Sequence, residues 1–335
     1  MDGIGESAVA RRIRWKIKTN NQMKLSKPTK NGSRPFFNLL TAAILAATAQ
    51  NIFAQLVDGQ PKNETQVSAR RENFPANTNL PSLFLIGDST VRNGRGDGGG
   101  GQWGWGDQLA PFFDTSRINV VNRALGGTTA RTYYRDFWPR TLALIKSGDV
   151  VIMQFGTNGG PINDASRARG ELHGIGDESQ DITNLVTKKF ETVHTFGWYE
   201  MKMIAEARAK GATAMICSLI PRNTWRDGKT ARPGADSAAH WAAEAATAAK
   251  ASFIDLNEII ARRYDSLGQD AVKELFVANA GPHTSLAGAQ TNALCVVSGL
   301  KALKENPLAT FFSANAAGVA RADLSQPVSN KAEPK

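Results

Sequence analysis

The sequence predicts an α/β fold: a three-layer α/β/α sandwich around a central, mainly parallel five-stranded sheet. Three observations predict it. Short apolar runs recur along the chain without polar alternation, as strands buried on both faces require. Stretches of helical length separate them, which implies crossover connections and parallel neighbours. Several runs open into loops rich in Gly, Ser, Thr or Asn, and an open parallel sheet carries its chemistry in the loops at the carboxyl ends of its strands.

In chain order, the first run is Leu83–Ile86, closed by Gly87. Ile118–Val121, Val150–Phe155 and Ala212–Leu219 follow, and Ser252–Leu256 is a fifth, weaker one. Helices are expected over Asp107–Phe113, Pro139–Lys146, Thr187–Lys210, Ala238–Lys250, Glu258–Leu267 and Ser285–Leu303. The domain is expected to span 81–305. Residues 50–80, rich in Asn, Gln and charge, read as a linker, and 306–335 as a polar tail.

The 335 residues carry a net charge of +10, and its location matters. Residues 1–49 hold nine basic and two acidic groups, so that segment carries +7 and the remainder only +3. No basic helix interleaved with aromatics occurs in the remainder, which argues against a nucleic-acid partner. The basic segment reads instead as a signal peptide with an extended n-region. Phe36 to Ala47 is a short apolar run, and Ala47-Thr48-Ala49 offers the small residues a signal peptidase accepts. About a dozen apolar residues fall short of the roughly twenty a spanning helix needs, so no stable membrane span is expected. The expected location is secreted or periplasmic. Cys217 and Cys295 both lie in apolar runs that suit buried thiols, and the sequence leaves their pairing open.

Four loops carry candidate chemistry. Gly87-Asp88-Ser89-Thr90 follows the first strand, where Gly permits a tight turn and Ser89 projects a hydroxyl at the sheet edge. A helix N-cap is the plainer reading of that tetrapeptide. Asn122-Arg123-Ala124-Leu125-Gly126-Gly127 follows the second strand, and its paired glycines let a backbone N–H approach a ligand. Gly156-Thr157-Asn158-Gly159 follows the third and offers an amide donor. His283 stands after Gly281-Pro282, just ahead of a helix that Thr284 or Ser285 would cap.

Ser, Gly, Asn and His, each at the end of a successive unit, resemble the pattern of the SGNH (GDSL-like) hydrolase superfamily, and within it the rhamnogalacturonan acetylesterase family. The resemblance covers about 83–303 and is carried by LFLIGDSTVRNG, WGWGDQLAPFF, NRALGGTTARTY, GDVVIMQFGTN, ARAKGATAMICSLIPRNTWRDG, FIDLNEI and HTSLAGAQTNA. It implies Ser89 as nucleophile and His283 as general base. It also implies an oxyanion hole made of the Ser89 N–H, the Gly127 N–H and the Asn158 side chain. Three departures stand out. The family usually has Asp three residues before the histidine, where this chain has Ala280; it reads G-H-N-D where Gly156-Thr157-Asn158-Gly159 stands; and its frequent Arg after the second-block glycine is Thr128 here. A main-chain carbonyl, or a displaced carboxylate at Asp270 or Glu274, is the expected substitute for the acid.

The resemblance implies a secreted, monomeric serine esterase acting on an acetylated plant cell-wall polysaccharide, rhamnogalacturonan first, with no metal or cofactor. Acetylated xylan or another glycan, a general esterase, and a carbohydrate-binding relic that lost catalysis with its acid remain open. In the loop after the fourth strand, Trp225 and Arg222 are the expected substrate contacts, while Trp103 and Trp105 read equally as sugar platforms or as a packed lid.

Overall fold

The computed structural model describes residues 72–325; the segment read as a signal peptide, most of the stretch read as a linker and the last ten residues lie outside them. Five strands form one parallel sheet: β1 (Ser82–Gly87), β2 (Asn119–Asn122), β3 (Val150–Gln154), β6 (Thr213–Cys217) and β9 (Ser252–Ile254), in the order β2-β1-β3-β6-β9. β1 pairs β2 with Leu83 opposite Val120, and pairs β3 with Leu83 opposite Val150. The expected five parallel strands are therefore present, each within two residues of its apolar run.

Alternation along the strands builds two cores. On one face Leu83, Leu85, Val150, Ile152, Met215 and Ile254 pack against α5 (Leu256–Leu267), α6 (Gln269–Lys273) and α7 (Leu286–Ala302). On the other, Phe84, Ile86, Val151, Met153 and Ile216 pack against α1 (Ala130–Asp136), α2 (Trp138–Leu142), α3 (Phe196–Ala209) and α4 (Ala238–Ala248). Phe84 is fully buried, and truncating such a ring to Ala costs about 3–5 kcal/mol. Cys217 and Cys295 are buried free thiols in the first core.

Several helix boundaries differ from expectation. The stretch read as Asp107–Phe113 is two 3₁₀ segments, Trp105–Gln108 and Ala110–Phe112; Pro111 lacks the N–H that a continuous helix would use. Pro139–Lys146 shortens to α2, which begins at Trp138 and gives way to turns after Leu142. Thr187–Lys210 is helical only from Phe196, because the Thr195 side chain caps it by accepting from the Trp198 N–H. The residues before it form β5 (Phe190–His194), which pairs antiparallel with β4 (Ser179–Thr183) in a hairpin outside the sheet. A second, two-residue hairpin joins β7 (Trp225–Arg226) to β8 (Lys229–Thr230).

Beyond 305, the described residues pack onto the domain. Leu308 and Ala316 are buried, α8 (Ala314–Ala317) follows a 3₁₀ turn, and Lys301 Nζ donates to the carbonyls of Ala316 and Val319 at 2.6 and 2.7 Å. Before 81, Glu72 pairs with buried Arg123 at 2.8 Å. Among the described residues no helix is long and apolar enough to cross a membrane.

Candidate active site

The strand order places the site. Because β1 lies between β2 and β3, the loop carrying Ser89 is flanked by the Gly127 loop and the Asn158 loop. This is the crevice where chain direction switches across the sheet and where such folds bind ligands.

Ser89 sits in a turn, and no helix begins there: Val91 and Arg92 N–H both donate to the Asp88 carbonyl at 3.1 Å. Gly87 has φ 153°, and a Cβ on it would lie 2.3 Å from the Gln154 carbonyl oxygen. Glycine is required here because β1 and β3 converge beneath the nucleophile.

A directed chain of side-chain hydrogen bonds stiffens the turn. Trp105 Nε1–H donates to Gln154 Oε1 at 2.8 Å, and Gln154 Nε2–H to Thr90 Oγ1 at 2.8 Å. Thr90 Oγ1–H then donates to Asp88 Oδ1 at 2.7 Å, and the Thr90 N–H to the same oxygen at 2.8 Å. The indole is a donor only, so the direction of the whole chain follows from it. Burial pushes the Asp88 carboxyl up, with Thr90 opposing. Trp105 is fully buried in this role, so it packs the nucleophile turn and is no sugar platform. Its own backbone closes on the turn as well: Trp105 and Gly106 N–H donate to the carbonyls of Thr90 and Val91 at 3.0 and 2.9 Å. Gly104 leaves no room for a Cβ against Val91.

His283 approaches from the opposite side. Its Nε2 lies 2.9 Å from Ser89 Oγ, so a ring protonated on Nδ1 accepts the serine hydroxyl. Main-chain bonds hold the His283 loop. The Trp103 N–H donates to the Thr284 carbonyl at 2.9 Å, the Thr284 hydroxyl donates to the Trp103 carbonyl at 2.8 Å, and the Ser285 N–H reaches the Leu275 carbonyl at 2.9 Å. Ser285 then caps α7.

No carboxylate pairs with His283 among the described residues, and neither Asp270 nor Glu274 fills the position of the missing acid. The hydrogen bond joining His283 to Ala280 is between main chains, the His283 N–H donating to the Ala280 carbonyl at 3.4 Å, so none of the expected substitutes is bonded to the ring. Burial lowers the His283 pKa below its ordinary value, the Ala280 backbone opposes this, and the Arg222 charge adds to the lowering.

On the oxyanion side, the N–H groups of Ser89 and Gly127 find no acceptor among the described residues. Asn158 Nδ2 donates to the Thr128 carbonyl at 3.0 Å. A carbonyl only accepts, so the NH₂ end of Asn158 must face it, which leaves the second N–H for another oxygen. Thr128 is buried, and its hydroxyl reaches the carbonyls of Leu125 at 2.8 Å and Gly87 at 3.1 Å, tying the second loop to β1.

The two expected substrate contacts fare differently. Arg222 is exposed, donates to the Thr157 carbonyl at 3.3 Å, and acts electrostatically on His283. Trp225 packs partly against the core, with Nε1–H bonded to Asn223 Oδ1 at 2.7 Å, and no hydrogen bond or ring contact joins it to Ser89 or His283. Arg169 was not singled out from the sequence, yet it bonds to both flanking loops. Among the described residues no cluster of His, Cys, Asp and Glu could hold a metal ion.

Residues 85–290 match the GDSL-like lipase/acylhydrolase family. A rhamnogalacturonan acetylesterase of Emericella nidulans is 31% identical over 214 residues, spanning 63% of this chain and 81% of that protein. A probable rhamnogalacturonan acetylesterase of Bacillus subtilis, YesY, is 28% identical over 228 residues, 66% of this chain and 93% of that one. The crystal structure of the Bacillus subtilis YxiM protein shares the fold with a TM-score of 0.53 at 24% identity; the match covers 66% of this chain and 56% of that longer one.

Proposed function

This chain belongs to the GDSL-like lipase/acylhydrolase family, in its rhamnogalacturonan acetylesterase group, and is a carboxylic ester hydrolase; from that premise we propose that it is an exported serine esterase that removes acetyl groups from rhamnogalacturonan. The observation that carries the mechanism is the 2.9 Å contact between His283 Nε2 and Ser89 Oγ. It is supported by the Ser89 and Gly127 N–H groups, which have no acceptor among the described residues, and by the Asn158 amide in the loop after β3.

In this reading His283 takes the Ser89 proton while Oγ attacks the acetyl carbonyl carbon. The negative charge passes to the carbonyl oxygen, where the Ser89 N–H, the Gly127 N–H and the Asn158 amide stabilise it. Collapse of the tetrahedral species expels the sugar hydroxyl, which takes the proton from His283. Water, deprotonated by the same imidazole, then releases acetate from the acyl-enzyme. Among the described residues no carboxylate pairs with His283, so the imidazolium forms without a negative partner. The lowered pKa keeps His283 neutral, as a base must be, at pH values below those an ordinary histidine allows.

The substrate reading is supported by the two relatives named for rhamnogalacturonan, and export by the N-terminal basic and apolar segments. Arg222 at the rim is the substrate contact this reading keeps. The test is p-nitrophenyl acetate hydrolysis by the parent and by Ser89→Ala, followed by acetate release from acetylated rhamnogalacturonan and acetylated xylan. The expected result is loss of roughly 10⁶-fold in kcat for Ser89→Ala and faster release from rhamnogalacturonan. Equal activity in Ser89→Ala overturns Ser89 as the nucleophile, and an inactive parent that still binds the polysaccharide overturns the reading in favour of the binding relic. Faster release from xylan moves the substrate to the alternative glycan.

A further inference from the structure

Residues 161–170 carry no regular secondary structure and lie between β3 and the β4–β5 hairpin. Asp164 organises this loop. Its Oδ1 accepts from the N–H groups of Ser166, Arg167 and Ala168 at 2.7, 2.6 and 3.2 Å, and from the Ser166 hydroxyl at 2.8 Å. These donors hold the Asp164 carboxyl well below the usual carboxylate range. The turn leaves Ala168 at φ 42°, a left-handed conformation that is strained for a residue with a Cβ. Ala168 is fully buried, so packing holds the strain in place.

That strained turn delivers one guanidinium. Arg169 Nη1–H donates to the Gly127 carbonyl at 2.9 Å, and its Nε–H to the Gly159 carbonyl at 3.0 Å. The Arg169 carbonyl in turn accepts the hydroxyl of Thr129, which caps α1, at 2.8 Å. One residue thus spans from the loop after β2 to the loop after β3, across the crevice that holds Ser89.

We propose that Arg169 is the positioning residue of the oxyanion hole, a guanidinium clamp that sets the distance between the Gly127 peptide and the Asn158 turn. The inference rests on the serine-esterase reading. Gly127 and Asn158 belong to separate loops, and their donors serve one oxygen only if the loops keep a fixed spacing. A planar fork with several N–H groups in rigid geometry can hold two carbonyls at once, whereas a lysine ammonium acts as a point charge on a flexible stem. Arg169 does not contact Ser89, so its loss acts through geometry, and a shift of about 1 Å in a catalytic group costs about 10²-fold.

The experiment compares parent, Arg169→Ala and Arg169→Lys on p-nitrophenyl acetate, with and without millimolar guanidinium, alongside ¹⁵N relaxation of the backbone. Arg169→Ala is expected to lose about 10²-fold in kcat with KM within about twofold of the parent. Added guanidinium should restore part of that loss, and Arg169→Lys should fall between. In both variants the Gly127 and Gly159 amides should drop below the rigid-backbone order parameter of about 0.85. Parental kcat in Arg169→Ala overturns the proposal, as does a loss that guanidinium leaves unchanged. Should Arg169→Ala not fold, Arg169→Lys carries the same comparison without the fork. If the parent hydrolyses nothing, the esterase reading fails and relaxation alone decides the clamp: unchanged order at Gly127 and Gly159 overturns it, and lowered order supports it.

Discussion

The two sides of the Ser89 hydroxyl are built differently. On the oxyanion side, Arg169 and the Asn158 amide cross-link the Gly127 and Asn158 loops, the Thr128 hydroxyl ties the first loop to β1, and Arg222 donates to the second. On the histidine side, bonds through Thr284 and Ser285 position the loop, and no carboxylate pairs with the ring among the described residues. In the proposed mechanism one side stabilises developing charge. The other supplies a base with no negative partner. The contrast teaches where the rate should come from: fixed donors aimed at the transition-state oxygen are commonly the largest single contribution in acyl transfer, and here they are the better-supported half.

The largest expected effect breaks the stronger side. Asn158→Ala removes one donor and the link to Thr128, and losing such a donor costs roughly 10²–10³-fold in kcat. Steady-state kinetics on p-nitrophenyl acetate should show that loss with KM little changed. A change confined to KM would make Asn158 a ground-state contact and remove the contrast between the sides.

The next prediction strengthens the weaker side. In a Ser-His-Asp enzyme the acid is worth roughly 10⁴-fold, and here the ring already stands 2.9 Å from Ser89 Oγ without it, so Ala280→Asp is expected to gain on the order of 10-fold in kcat. The added negative charge favours imidazolium, so the acid limb of kcat/KM should move to higher pH. An unchanged rate in the folded variant would mean that orientation, and not charge, limits His283.

The same contrast explains what the sequence reveals. Strands buried on both faces leave unbroken apolar runs, and the residues at their ends are read by position, so Ser89, Gly127, Asn158 and His283 were legible together. The β4–β5 hairpin was not. Its residues Phe190–His194 run directly into a capped helix, and the helical period swallowed them. Arg169 is equally silent: its role is set by two carbonyls more than nine positions away in the chain or across the sheet, and by a strained alanine that no propensity marks. Trp105 read equally as a sugar platform or a packed residue, and its full burial with Nε1–H bonded to Gln154 decides for packing.

The smallest effect tests how far charge alone tunes the histidine side. Arg222 is exposed and lowers the His283 pKa, after burial and against the Ala280 backbone. A base works only when unprotonated, so kcat/KM rises with pH through the His283 pKa of the free enzyme. Arg222→Gln removes a positive charge, the pKa rises, and the acid limb should move to higher pH. Above the limb the rates on neutral p-nitrophenyl acetate should agree within a factor of about two, because nothing that touches the ester has changed. Salt offers an independent check. At 1 M ionic strength the screening length is about 3 Å, so the parent's limb should shift towards that of the variant while the variant's own limb stays in place. A parent limb insensitive to salt, or an Arg222→Gln limb displaced to lower pH, would place Arg222's influence in the Thr157 hydrogen bond and the shape of the Asn158 loop. The arginine would then belong to the oxyanion side, and the histidine side would be tuned by burial and the Ala280 backbone alone.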